Sequence, residues 1–137
     1  HTLPGDTPHI EDTLSTGERI LSVMIPDQDW TFSTYVNLRD RASYAFALSS
    51  AALSLQMDEA NHVTKASLAL GGMVSKPWLC EDAAALFIGQ KLTEDLGSLV
   101  AQTAYAQSVG EPILIAVGQA AVRSAVSQAV RSSTRNE

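Results

Sequence analysis

Arg41-Ala-Ser-Tyr-Ala-Phe-Ala-Leu-Ser-Ser-Ala-Ala-Leu-Ser-Leu-Gln-Met57, a polar link Asp58-Glu-Ala-Asn61, then His62-Val-Thr-Lys-Ala-Ser-Leu-Ala-Leu-Gly-Gly-Met-Val-Ser-Lys-Pro-Trp78: this run decides the fold. From Ser49 the odd positions Ser49, Ala51, Leu53, Leu55 and Met57 form one series, with Ser50, Ser54 and Gln56 between them. After the link the apolar series moves to Ala66, Leu68 and Leu70, opposite Lys65 and Ser67. Alternation with period two on both sides of a short polar turn predicts an antiparallel hairpin with one buried face. Gly71-Gly72 ends it, and Lys76-Pro77 prevents the strand from running on.

Upstream, Trp30 to Leu38 predicts another strand, with Trp30, Phe32, Val36 and Leu38 on one face and Thr31, Ser33, Tyr35, Asn37 and Arg39 on the other. Glu18 to Ile25 predicts a first strand, Ile20 on one face and Leu21, Val23 and Ile25 on the other, ended by Pro26 and the turn Asp27-Gln28-Asp29. Residues 1–16 hold two prolines and little periodicity, and are expected to be an irregular lead-in, the tail of a preceding domain. Positions 44–48 fit either a helical turn or the start of the strand.

Beyond Trp78 the period becomes 3.6. Leu79 to Gly89 predicts a short helix with Glu81 and Asp82 in its first turn, where carboxylates suit the macrodipole. Thr93 is the expected N-cap of a second helix carrying Leu92, Leu96, Leu99, Val100, Thr103 and Ala104. Gly110-Glu111-Pro112 breaks the pattern. A last helix is expected over about Ile115 to Val130, with Val122, Ala125, Val126, Ala129 and Val130 apolar and Arg131 and Arg135 near its C-terminus. Strands first and helices after give an α+β fold, an antiparallel sheet of three or four strands followed by about three helices on one face.

At 137 residues with 45% hydrophobic and 18% charged residues, the chain is an ordinary globular domain large enough for its own core. A net charge of −6 repels phosphate backbones and argues against nucleic-acid partners. No apolar run approaches the roughly 20 residues of a membrane span, so no membrane insertion is expected. One cysteine, Cys80, excludes an internal disulfide or a cysteine-clustered metal site, and is expected to pack as a small hydrophobe near a helix start. His1, His9 and His62 lack metal-ligand spacing. No nucleophile elbow, Walker loop or Gly-x-Gly-x-x-Gly after a strand is present, so the chain is not expected to be catalytic by itself. Residue chemistry alone points to a binding, support or assembly module.

Three segments taken together go further: Gly17-Glu-Arg-Ile-Leu-Ser-Val-Met-Ile-Pro26, Arg39-Asp-Arg-Ala-Ser-Tyr-Ala-Phe-Ala-Leu48 and Leu68-Ala-Leu-Gly-Gly-Met-Val-Ser-Lys-Pro-Trp78. In that order and at those separations they resemble the C-terminal domain of the FAD-binding (medium) subunit of molybdenum hydroxylases, the carbon monoxide, xanthine and aldehyde dehydrogenase flavoproteins. The resemblance runs from residue 3 to about residue 96, and the domain is expected over residues 17–137. Leu3-Pro4-Gly5-Asp6-Thr7-Pro8-His9 resembles the end of the preceding FAD-binding domain.

The resemblance implies a domain that closes over FAD and docks on a large molybdenum subunit and a small iron–sulfur subunit. Electrons from the molybdenum cofactor would reach the FAD through iron–sulfur clusters. It implies a cytoplasmic protein, with a periplasmic location open for the parent complex. Carried over by position, Ile20, Leu21, Arg41, Ser43 and Tyr44 would lie beside the flavin, an apolar residue covering a ring face and a hydroxyl or cation meeting a polar edge. Asn37 stands where many of those proteins carry Lys, and the Pro-Leu and Asn-Ala-Tyr-Lys stretches often found beyond Gly110 are absent. The glycine-rich phosphate loops are also missing, so the chain alone is expected to bind FAD weakly or not at all.

Overall fold

The computed structural model describes residues 7, 9, 10, 12–42, 44–72 and 76–134. The elements run β1 (Phe32–Leu38), β2 (Ser49–Met57), β3 (Val63–Gly71), β4 (Trp78–Leu79), α1 (Glu81–Ala85), α2 (Glu94–Ala104) and α3 (Pro112–Ser133). The strands form one antiparallel sheet in the order β1-β2-β3-β4. This is the expected α+β architecture.

The hairpin register follows the alternation in the sequence. Ala51 pairs with Leu70, Leu53 with Leu68 and Leu55 with Ala66, which puts the apolar series of both strands on one face. The turn is closed by Asp58, whose Oδ1 accepts from the backbone N–H groups of Ala60 and His62. The His62 N–H bond is the main reason the Asp58 carboxyl sits below its ordinary range. Asn61 takes a positive φ there, a role asparagine fills readily.

Ala51, Leu53, Leu55, Leu68 and Phe87 are fully enclosed, and the helices cover them. α3 lies across β1 and β2, and α1 lies on β3. The face α3 buries is Gly118, Ala121, Val122, Ala125, Val126 and Ala129. Its alanines bring the helix axis close to the sheet. Thr34 Oγ1 donates to Gln128 Oε1 at 2.5 Å and ties β1 to that helix.

α2 begins as the sequence predicts, with the Thr93 side chain accepting from Leu96 N–H at 3.1 Å. Thr93→Ala is expected to destabilise the domain by about 1 kcal/mol, the usual value of a lost N-cap, measurable as a drop in urea midpoint at unchanged slope.

Five expectations are corrected. Residues 18–25 form no strand: they make neither helix nor ladder, and Ile20, Leu21, Val23, Met24 and Ile25 are exposed. Both alternating sets of that segment are apolar, and the sheet offers cover on only one side. The fourth strand is Trp78–Leu79 instead, held by Cys80 N–H donating to Leu68 O and by pairing of Trp78 with Leu70. The first helix therefore starts at Glu81 and not at Leu79. The last helix starts at Pro112, because proline at the first helical position loses no hydrogen bond and already has a helical φ. Residues 44–48 make neither a helical turn nor the start of the strand, since β2 begins at Ser49. Leu99, placed on the apolar side of α2, is half exposed, since that helix buries Gly97, Val100 and Ala101. Arg135 lies outside the described residues.

Candidate functional site

The connection from β1 to β2 carries Arg41 and Tyr44, two of the candidate residues. Its base is closed by Leu48 N–H donating to Leu38 O at 2.8 Å. Between these residues the chain makes an irregular loop. The Arg41 guanidinium donates to the Tyr44 carbonyl across it. Tyr44 has φ +53°, a left-handed conformation uncommon for a bulky residue, and its side chain is 95% exposed. Phe46 is 99% exposed two residues later. Two aromatic rings are thus carried outward on a loop whose base is pinned.

The end of β3 abuts this loop. Gly72 has φ +84°, and a Cβ there would meet Ala47 O at 3.1 Å and Leu48 O at 3.2 Å, so only glycine fits. Two of the sequence motifs, 39–48 and 68–78, are therefore neighbours in space. At the same end of the sheet Asn37 pairs with Ser50, and its Oδ1 is buried with no donor.

Of the expected site residues, the structure joins Arg41 and Tyr44. Ser43 lies outside the described residues. Ile20 and Leu21 are exposed, and among the described residues no hydrogen bond connects 19–25 to the loop. Arg41 and the exposed rings suit the edge and face of a planar heterocycle. They do not make a pyrophosphate cradle, which needs converging backbone N–H groups.

A second feature was not expected from the sequence. A cleft of about 620 Å³ lies between β4 and α1 on one side and residues 103–109 on the other. Trp78, 52% exposed, stands at it, with Glu81, Asp82, Cys80 and Tyr105 along its wall. Burial pushes the Cys80 thiol above its ordinary range, which suppresses the thiolate and leaves this residue a packing group. Burial likewise raises the Tyr105 phenol, partly offset by its hydrogen bond with Ser49 at 3.1 Å. Only Trp78 at the sheet's end hinted at the cleft in the sequence. Among the described residues no cluster of His, Cys, Asp and Glu is arranged to hold a metal. His62 lies at the turn, 3.7 Å from Asp58.

A small antiparallel sheet, a helical layer behind it and an outward-facing loop between β1 and β2 define a support domain with one presented edge. The family model of the CO dehydrogenase flavoprotein C-terminal domain matches residues 33–109, and the chain belongs to that family. It is 48% identical over 82 residues to the aldehyde oxidoreductase FAD-binding subunit PaoB of Escherichia coli strain K12, a match of 60% of this chain and 24% of that protein. The chain thus spans about a quarter of that relative's length. Among solved structures, quinoline 2-oxidoreductase from Pseudomonas putida 86 shares the fold at TM-score 0.70 and 18% identity, over 79% of this chain and 39% of that one. Reconstituted CO dehydrogenase from Oligotropha carboxidovorans does so at TM-score 0.63 and 20% identity, over 72% and 36%. The CO dehydrogenase of Hydrogenophaga pseudoflava that lacks the Mo-pyranopterin moiety gives 0.60 and 19%, over 69% and 35%.

Proposed function

We propose that this chain is the part of an FAD-binding subunit that closes over the flavin ring system and contacts the molybdenum and iron–sulfur subunits of a molybdenum-containing oxidoreductase, in the cytoplasm or periplasm. The observation that carries this reading is Tyr44, a fully presented aromatic in a left-handed conformation, on a loop pinned by Leu38, Leu48 and Gly72. Backbone strain of about 1–3 kcal/mol persists where the surroundings over-determine it, often at ligand clamps.

FAD, when bound, would supply the redox chemistry, taking electrons from iron–sulfur clusters and passing them to an acceptor. This chain's residues would do the rest. The Tyr44 ring covers the heterocycle and excludes water, and Ser43 offers a hydroxyl to a polar edge. Arg41 holds the loop through the Tyr44 carbonyl. The pyrophosphate would be held by the rest of the longer polypeptide, here called the parent subunit.

Tyr44→Ala in the parent subunit is the test. Removing about 1.4 kcal/mol of ring contact is expected to weaken FAD retention and slow flavin reduction about tenfold. Wild-type occupancy and rate would make the loop structural. Binding of FAD at micromolar affinity by the 137-residue chain alone would likewise contradict the division of labour.

A further inference from the structure

Residues 20–25, Ile-Leu-Ser-Val-Met-Ile, hold the largest continuous set of exposed apolar side chains among the described residues. Five of the six are large hydrophobes, exposed at 71–91%. No backbone hydrogen bond ties residues 19–25 to anything described. Single exposed leucines are ordinary, whereas a run of this density marks a surface that is covered in use.

The spacing says what kind of cover. Ile20, Ser22 and Met24 alternate with Leu21, Val23 and Ile25, so a strand made here would be apolar on both sides. That is the pattern of a strand buried between two layers. The free edge of β1 is available, but pairing there would bury one side only. The other side would stand with Ser33 and Tyr35 on the face of the sheet that the helices do not cover. A second copy of the chain brings the same one-sided sheet. What remains is a body with its own apolar layer, and the family relative with FAD-binding function has about three quarters of its length outside the match.

We propose that residues 20–25 are a strand added to a sheet in the remainder of the parent subunit, locking this domain against the body that holds the rest of the cofactor. The proposal rests on the reading of the chain as one part of an FAD-binding subunit. Main-chain hydrogen bonds would supply the affinity and the two apolar rows the register. Pro26 would end the added strand. The start of β1 anchors the return, because Thr31 N–H donates to Leu55 O and Lys65 sits over the Trp30 ring at 4.4 Å.

Amide hydrogen–deuterium exchange at residues 20–25 tests this, in the 137-residue chain at low and high concentration and in the parent subunit with and without FAD. The expected result is unprotected exchange in the chain at both concentrations and exchange at least about 100-fold slower in the parent subunit in either FAD state. Equal rates in chain and parent overturn the proposal. Protection only when FAD is present overturns it too, because the occupant is then the cofactor. Protection in the chain alone that grows with concentration assigns the strand to a second copy and also overturns it. Val23→Asp gives an independent readout: an unchanged Tm in the chain and a Tm lower by about 5 °C in the parent subunit. An unchanged Tm in both contradicts the burial, and if the parent variant does not fold, the exchange rates still decide. Protection is read in the FAD-free subunit, so a parent that binds no FAD sinks the functional reading while the strand remains measurable.

Discussion

Gly118→Ala is expected to destabilise the domain by about 3 kcal/mol, although alanine is the better helix former by about 1 kcal/mol. Gly118 lies inside α3, and a Cβ there would stand 2.2 Å from the Tyr105 hydroxyl and 2.3 Å from its Cζ. Tyr105 cannot swing away freely. It is 5% exposed, caps the C-terminal end of α2 and shares a hydrogen bond with buried Ser49. The methyl group must displace the ring or push α3 off α2, and either breaks the Ser49 contact. Urea unfolding measures the loss. In a Tyr105→Ala background the obstruction is gone, so adding Gly118→Ala is expected to be neutral or stabilising by up to about 1 kcal/mol. Additive effects in that cycle would show that the two residues do not meet.

Phe87→Ala is the other large effect. Phe87 is the largest fully buried side chain, placed in the turn after α1 where helix and sheet close on each other. Truncation leaves a cavity as well as losing transfer energy, about 3–5 kcal/mol together. Against a total stability of about 5–15 kcal/mol, the variant is expected to be largely unfolded at 37 °C or to melt far below the wild type. Ile88→Ala, at a half-exposed neighbour, is the control and is expected to lose less than about 1 kcal/mol. Similar melting temperatures for the two variants would contradict the burial.

Legibility of the fold followed the strength of local patterns. Ser49 to Leu70 could be read as a hairpin with one buried face, since alternation assigns each side chain to a side, whereas the register, with its irregularity at Gln56 and Met57, is set by the turn. Thr93 could be read as a cap because its hydroxyl has one obvious local use. Pro112 was misleading, since the same Gly-Glu-Pro triplet either ends one element or starts another, and the decision rests with the 22-residue helix that follows. Residues 18–25 misled for a deeper reason. Their alternation is real, but a strand needs a neighbour, and pairing is not a property of the segment.

The candidate site was legible only in part. Arg41 and Tyr44 lie three residues apart in the sequence and meet in the structure. The left-handed Tyr44, the Gly72 contact with 47–48 and the unpartnered Asn37 oxygen depend on how distant strands arrive at one corner, which no local pattern records. The cleft beside Trp78 is of the same kind.

Ser49 has one further implication. It is the first residue of β2, immediately after the loop that presents Tyr44 and Phe46, and its hydroxyl is fastened through Tyr105 to the junction of α2 and α3. The loop's root and the helix crossing therefore share a bolt. A substitution far from any cofactor, such as one at Gly118, is expected to loosen Tyr44 as well as to lower the melting temperature. Variants selected for weakened flavin retention should then include positions on α3, and matching them by Tm is what separates a lost contact from a slackened hinge.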